Sequence, residues 1–195
     1  MRWILGVCFS VFAIGNSFSQ VNPFSVLGRV VTTSMDVRTK AEVTADAEIG
    51  AGASKRLLDD KKAEWAGVSV LVFAQHVVLA GAVKSADVKK RVEEVVLRDK
   101  RIRSLKNELL VGDAGGHVKE TARDTALEAQ VNAALTAAKG VASVNMRWSA
   151  TGGRVVLMGV ARSQQEAGLA LQKIRGLKGV RGVKSDLRIV AAAKK

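Results

Sequence analysis

The 195-residue chain has one cysteine, Cys8, and one proline, Pro23, both near its N-terminus. A lone thiol excludes an internal disulfide and a thiolate zinc site. The two histidines, His76 and His117, fall in an expected turn and an expected linker, with no Ser or carboxylate at triad spacing. They read as solvated loop residues. Aromatics make up 4% of the sequence, and Trp3, Phe9, Phe12, Phe18 and Phe24 all lie near its start. Only Trp65, Phe73 and Trp148 remain to build cores or stacking platforms. Nucleic-acid binders usually interleave aromatics for base stacking, and none stand among the basic residues here. No GxxxxGK or GxGxxG opens a helix, so no phosphate cradle is expected. Asp59-Asp60 run straight into Lys61-Lys62 and read as a charged helix end. With no catalytic constellation, neither an enzyme nor a cofactor site is expected.

What is present is one unit written twice. Val77-Val78-Leu79-Ala80-Gly81 recurs as Val155-Val156-Leu157-Met158-Gly159, an offset of 78 positions. The same offset relates Asp46 to Asp124, Leu57 to Leu135, Ser85 to Ser163, Lys106 to Lys184 and Leu109 to Leu187. Two long copies imply tandem domains rather than a solenoid. Each has about 70 residues, near the lower limit for a core without staples.

The balance of charge is strongly basic: 31 Lys and Arg against 18 Asp and Glu, a net +13. Arg2, the apolar run from Trp3 to Gly15 and Ser17-Phe18-Ser19 match a signal peptide cleaved before Gln20. The run is too short to span a bilayer comfortably. Cleavage removes only one of the charges. A basic exported protein favours polyanions such as lipid headgroups, and export argues against nucleic acid as a partner.

Within each copy the pattern reads α-β-β-α-β. Asp46 is a candidate N-cap for the first helix, followed by Ile49, Ala53 and Leu57, and in the second copy Asp124 precedes Leu127, Val131 and Leu135. Alternating Val68, Val70 and Val72 lead through Ala74-Gln75-His76 into a second strand, and Gly152-Gly153 marks the matching turn. The second helices carry Val88, Val92, Val95 and Val96, then Ala167, Ala170, Leu171 and Ile174 behind a Ser163–Glu166 capping box. Closing strands alternate through Leu105, Asn107, Leu109 and Val111, and through Val183, Ser185, Leu187 and Ile189. Gly81 and Gly159 read as structural glycines, placed for backbone conformation or a close approach rather than ligand contact. The expected boundaries are a signal peptide at 1–19, a linker or loose arm at 20–39, domains at 40–112 and 121–191, a linker at 113–120 and a basic tail at 192–195.

The strand-plus-glycine motifs, the Ser-initiated amphipathic helices and the closing run Gly179-Val180-Arg181-Gly182-Val183-Lys184-Ser185-Asp186-Leu187 resemble the BON family (bacterial OsmY and nodulation domain). The resemblance implies an α+β fold of two tandem domains, each a three-stranded sheet covered on one face by two helices. It further implies a periplasmic protein on the periplasmic face of the outer membrane. Such a protein would bind anionic phospholipid without catalysis and support envelope integrity or osmotic protection. Envelope proteins are further expected partners, and an adaptor or chaperone-like module is the alternative.

Arg98, Lys100, Arg101, Arg103 and Lys106 cluster after the second helix of the first copy. Lys173, Arg175, Lys178, Arg181, Lys184 and Arg188 occupy the equivalent stretch of the second. Of these, Lys173, Arg175, Lys178, Arg181 and Lys184, with no acid between Glu166 and Asp186, are the expected lipid-binding face. Each cation held near an anionic membrane contributes about 1 kcal/mol. The family resemblance adds the first helix of the second copy, with Leu127 and Val131. The bulky aromatic expected early in that helix is replaced by Ala126 and Leu127.

Overall fold

The computed structural model describes residues 35–61, 66–112 and 117–190, with side chains in the last stretch from residue 122 onward. The signal-peptide expectation, Trp65 and the 192–195 tail lie outside the described residues. Helix α1 spans Lys40–Asp59. It begins at a capping box: Thr39 accepts from the Glu42 amide, and the Glu42 carboxylate accepts from the Thr39 amide. Asp46 is therefore not the N-cap. It sits nearly two turns into the helix, on the buried stripe with Val43, Ile49, Ala53 and Leu57.

Strands β1 (Val68–Phe73) and β2 (His76–Val83) form an antiparallel hairpin, followed by α2 (Ala86–Val96) with Ser85 as its N-cap. The closing segment returns parallel to β2 as β3 (Ser104–Asn107) and β4 (Leu110–Val111). One continuous strand was expected there. The break comes from side-chain competition: Asn107 donates to the Lys89 carbonyl and the Glu93 carboxylate and accepts from the Leu109 amide, while Leu109 sinks into the core.

The second unit has the same order: α3 (His117–Ala137), a 3-10 turn, β5 (Met146–Thr151), β6 (Arg154–Ala161), α4 (Gln164–Arg175) and β7 (Gly182–Ile189). The backbone of α3 begins at His117, so residues 117–120 are helical rather than linker. Asp124 lies inside this helix and caps nothing. At α4, Ser163 caps the Glu166 amide, but the Glu166 carboxylate accepts from the Arg162 and Ala142 amides, not from Ser163. The anticipated capping box is thus half formed. Strand β7 runs unbroken beside β6, giving the order β5-β6-β7 with β6 and β7 parallel.

Both units are α+β, and both bury one sheet face under their two helices. Val70, Leu79, Val92 and Val96 build the first core; Val131, Leu135, Leu157 and Ile174 build the second. The opposite sheet faces pack on each other. Leu71, Phe73, Val78 and Ala80 of the first sheet meet Val156, Met158 and Val160 of the second. The layers run helices, sheet, sheet, helices. Strands β2 and β6 are therefore covered on both faces, which is why they are continuous apolar runs.

Candidate functional site

Three regions gather polar side chains, and the first is the docking point of the N-terminal arm. Residues 35–39, expected to be loosely attached, are bound to both units. The Val37 amide donates to Asn145 Oδ1 at 3.0 Å, and Asn145 Nδ2 donates to the Met35 carbonyl at 2.8 Å. Arg38 donates to Asp36 at 2.8 Å and to Asp46 at 3.0 Å, and its guanidinium lies 4.4 Å from the Phe73 ring centroid. All three charged side chains are at least 95% buried. Burial opposes both charges, yet the Arg38 bonds and charge hold Asp36 below the usual carboxylate value, and the carboxylates hold Arg38 above its own. Asp46 also accepts the Ala74 and Gln75 amides at 2.7 and 2.6 Å. Its carboxylate is fully engaged in structure.

The second region is the domain seam. Lys106 and Lys184 are repeat equivalents, as are Glu108 and Asp186. Lys106 pairs with Asp186 at 2.6 Å and Lys184 with Glu108 at 3.2 Å, the signature of a pseudo-two-fold axis between the units. Arg154 also reaches Glu108, at 2.9 Å. Lys184 is therefore committed to the seam rather than to one cationic surface. His76 is not a solvated loop residue: it opens β2, and its Nδ1 lies 2.6 Å from Ser104 Oγ. Burial, then the Arg188 and Arg103 charges, lower its pKa. Among the described residues no carboxylate hydrogen-bonds this imidazole.

The third region is a hollow of about 360 Å³ at the edge of the second unit, where Arg123, Lys178 and Arg181 surround a floor of Ala126 and Leu127. Asp124 lines it too, but its carboxylate accepts the Gly152 and Gly153 amides at 2.8 and 3.2 Å. All three cationic residues are exposed. Lys173 lies apart from them, in a shallow groove with Ala134, Ala138 and Leu177, and Arg175 is exposed at the end of α4. The structure thus joins Lys178 and Arg181 and separates Lys173 and Lys184. Arg123 was not anticipated, since only folding brings α3 beside the segment before β7. Leu127 and Val131 are 4% and 0% exposed. They form core, and so offer no lipid-facing surface, although Leu127 shows an edge in the hollow.

In the first unit the matching basic residues are largely paired: Arg101 with Asp99 and Glu48, Arg103 with Glu42, Lys106 with Asp186. Gly81 and Gly159 have φ of 117° and 125°, and an added Cβ would stand 1.9 and 2.1 Å from the carbonyl oxygens of Gly67 and Asn145. Both lie where β2 and β6 begin to leave their hairpin partners. No group of three His, Cys, Asp or Glu suited to a metal ion occurs among the described residues, and none of their helices is long and apolar enough to cross a membrane.

Two α+β units with this strand order, each carrying a positive-φ glycine near the end of its second strand, define a tandem module. The BON domain profile matches residues 45–113 and 123–191, and the chain belongs to the BON domain family. It is 28% identical over 183 residues to osmotically-inducible protein Y of Escherichia coli (strain K12), covering 92% of this chain and 90% of that one. It is also 34% identical over 125 residues to an uncharacterized protein in the gshII 5' region of Anaplasma centrale, covering 64% of this chain and 83% of the relative. Among solved structures, CdsD, a structural protein of the Type III secretion system of Chlamydia trachomatis, aligns at 18% identity with a TM-score of 0.29. That alignment covers 73% of this chain and 63% of CdsD.

Proposed function

We propose that this is a non-enzymatic protein of the bacterial envelope that docks on anionic phospholipid at the periplasmic face of the outer membrane, in support of envelope integrity under osmotic stress. Full-length similarity to an osmotically inducible relative supports the stress setting. The observation that carries lipid docking is the Arg123, Lys178 and Arg181 hollow: three exposed cations converge on a small apolar floor, and the one carboxylate there is occupied by backbone amides. Phosphate oxygens would meet the cations, while the exposed Ala126 would meet the upper acyl or glycerol carbons. Several cations near an anionic surface at about 1 kcal/mol each give reversible, salt-sensitive binding.

Flotation of the exported chain with vesicles of phosphatidylglycerol and phosphatidylcholine tests this. The reading expects flotation with the anionic mixture at low salt, loss at high salt, and none with phosphatidylcholine alone. Equal flotation with neutral vesicles would remove the electrostatic basis of the proposal.

A further inference from the structure

The seam between the two sheets is closed by an anion at one end and holds a cluster of cations at the other. At the closed end the Glu108 carboxylate sits between Arg154 and Lys184, at 2.9 and 3.2 Å. Its repeat equivalent, Asp186, is drawn to Lys106 at 2.6 Å, and His76 stands where the first unit would carry the equivalent of Arg154. His76 turns instead to Ser104.

The two lysine–carboxylate pairs fix β3 and β7 as antiparallel across the seam, with 106 opposite 186 and 108 opposite 184. One more step in that register brings Ser104 opposite Arg188. Arg103 is placed beside the hairpin turn by its amide, which donates to the Gln75 carbonyl at 2.9 Å. His76, Ser104, Arg103 and Arg188 therefore converge from both units on one end of the seam. Glu42 is 3.6 Å from Arg103, a long contact. Among the described residues Arg188 has no carboxylate within ion-pair distance. The Arg103 charge acts on Arg188 across the domain interface, with Glu42 and Asp46 opposing it from longer range, so an anion between the two arginines would relieve their repulsion.

We propose that Arg103, His76 and Ser104 of the first unit and Arg188 of the second form a binding site for a phosphate-class oxyanion that bridges the two domains. Arginine suits this ligand because its planar fork matches two phosphate oxygens at once. The hydrogen-bonded Ser104–His76 pair supplies one further donor: Nε2–H where Ser104 donates to Nδ1, or the Ser104 hydroxyl where Nδ1–H donates to it. In support, burial and then the neighbouring Arg103 charge lower the Arg188 pKa despite the opposing charges of Asp46 and Glu42. The site is separate from the Arg123, Lys178 and Arg181 hollow and does not depend on it.

Urea unfolding of the exported chain in increasing inorganic phosphate, against sodium chloride of equal ionic strength, tests the site. The wild-type midpoint should rise with the logarithm of phosphate concentration and not with chloride. R188Q and R103Q should each lose the rise, R188K should keep part of it, and K173Q/R175Q, outside both sites, should keep all of it. Amide NMR shifts on adding phosphate should concentrate at residues 75–77, 103–105 and 187–189, a readout that does not require any variant to fold. No phosphate-specific rise in the wild type, an equal rise in R188Q, or shifts confined to 152–153 and 178–181 would each overturn the assignment. Vesicles carrying phosphatidic acid separate the sources of the group. Unchanged flotation of R188Q, with its phosphate response lost, assigns the site to a soluble phosphate; loss of both assigns it to the headgroup.

Discussion

Asp46 and Asp124 clamp the same turn in the two units: each carboxylate accepts two consecutive backbone amides, 28 and 29 residues further along the chain. In the second unit those amides belong to Gly152 and Gly153, with φ of 58° and 79°. In the first they belong to Ala74 and Gln75, at 50° and 63°, where a side chain costs about 1 kcal/mol or more. The clamp offsets that strain. Gln75→Gly should therefore stabilise the protein by about 1 kcal/mol in urea unfolding. Asp46→Ala should cost about 2–4 kcal/mol, because besides the turn amides it takes one of two carboxylates from buried Arg38, which keeps Asp36. Asp124→Ala, which strands only amides, should cost about 1–3 kcal/mol. Equal losses at the two positions would mean that the Arg38 network adds nothing.

Gly81 and Gly159 make a second prediction. Alanine at either combines a positive φ with overlap on a carbonyl oxygen, and should destabilise by about 4 kcal/mol or prevent folding. Gly182→Ala, with nothing within 4 Å of the added carbon, should change stability by about 0.5 kcal/mol or less. Thermal unfolding of the three variants separates these outcomes.

The shared apolar seam couples the units. Val156→Asp would bury a charge between both sheets, so hydrogen exchange should accelerate in β1 and β2 as well as in β5 and β6. Protection lost in the second unit alone would show that the sheets fold independently.

His76 sets a pH dependence. Its folded pKa lies below 6.5, through burial and then the Arg188 and Arg103 charges, with Asp46 opposing weakly. The unfolded chain therefore takes up the proton first, and stability falls as pH drops through 6.5 toward the folded value. Glu128 acts in the opposite sense: burial raises its pKa, so its contribution is lost as pH rises above the carboxylate range. Comparing wild type with His76→Gln between about pH 7.5 and 5.5 isolates the histidine. The wild type should lose more stability over this window, and identical curves would contradict the assignment.

The repeat, the helix stripes and the hairpins were legible because each rests on local periodicity. The Val77–Ala80 run held a further signal, since a strand facing solvent on one side would alternate; the residues that cover its second face come from the other repeat. Asp46 reads as an N-cap because an acidic residue ahead of an apolar stripe looks like one, and only the folded hairpins bring the turn amides within reach of Asp46 and Asp124. Charge clustering in sequence likewise joined Lys173 to Lys184, whereas helix direction and the seam scatter them and bring Arg123 to Lys178 and Arg181 instead.

The most direct test of lipid docking is flotation of R123Q/K178Q/R181Q beside K173Q/R175Q on phosphatidylglycerol-containing vesicles at low salt. Exposed charges away from the cores change stability little, so both variants should retain wild-type circular dichroism. The account predicts that the triple variant loses most of its vesicle binding while the double variant keeps most of it. Wild-type binding by a folded triple variant would contradict it.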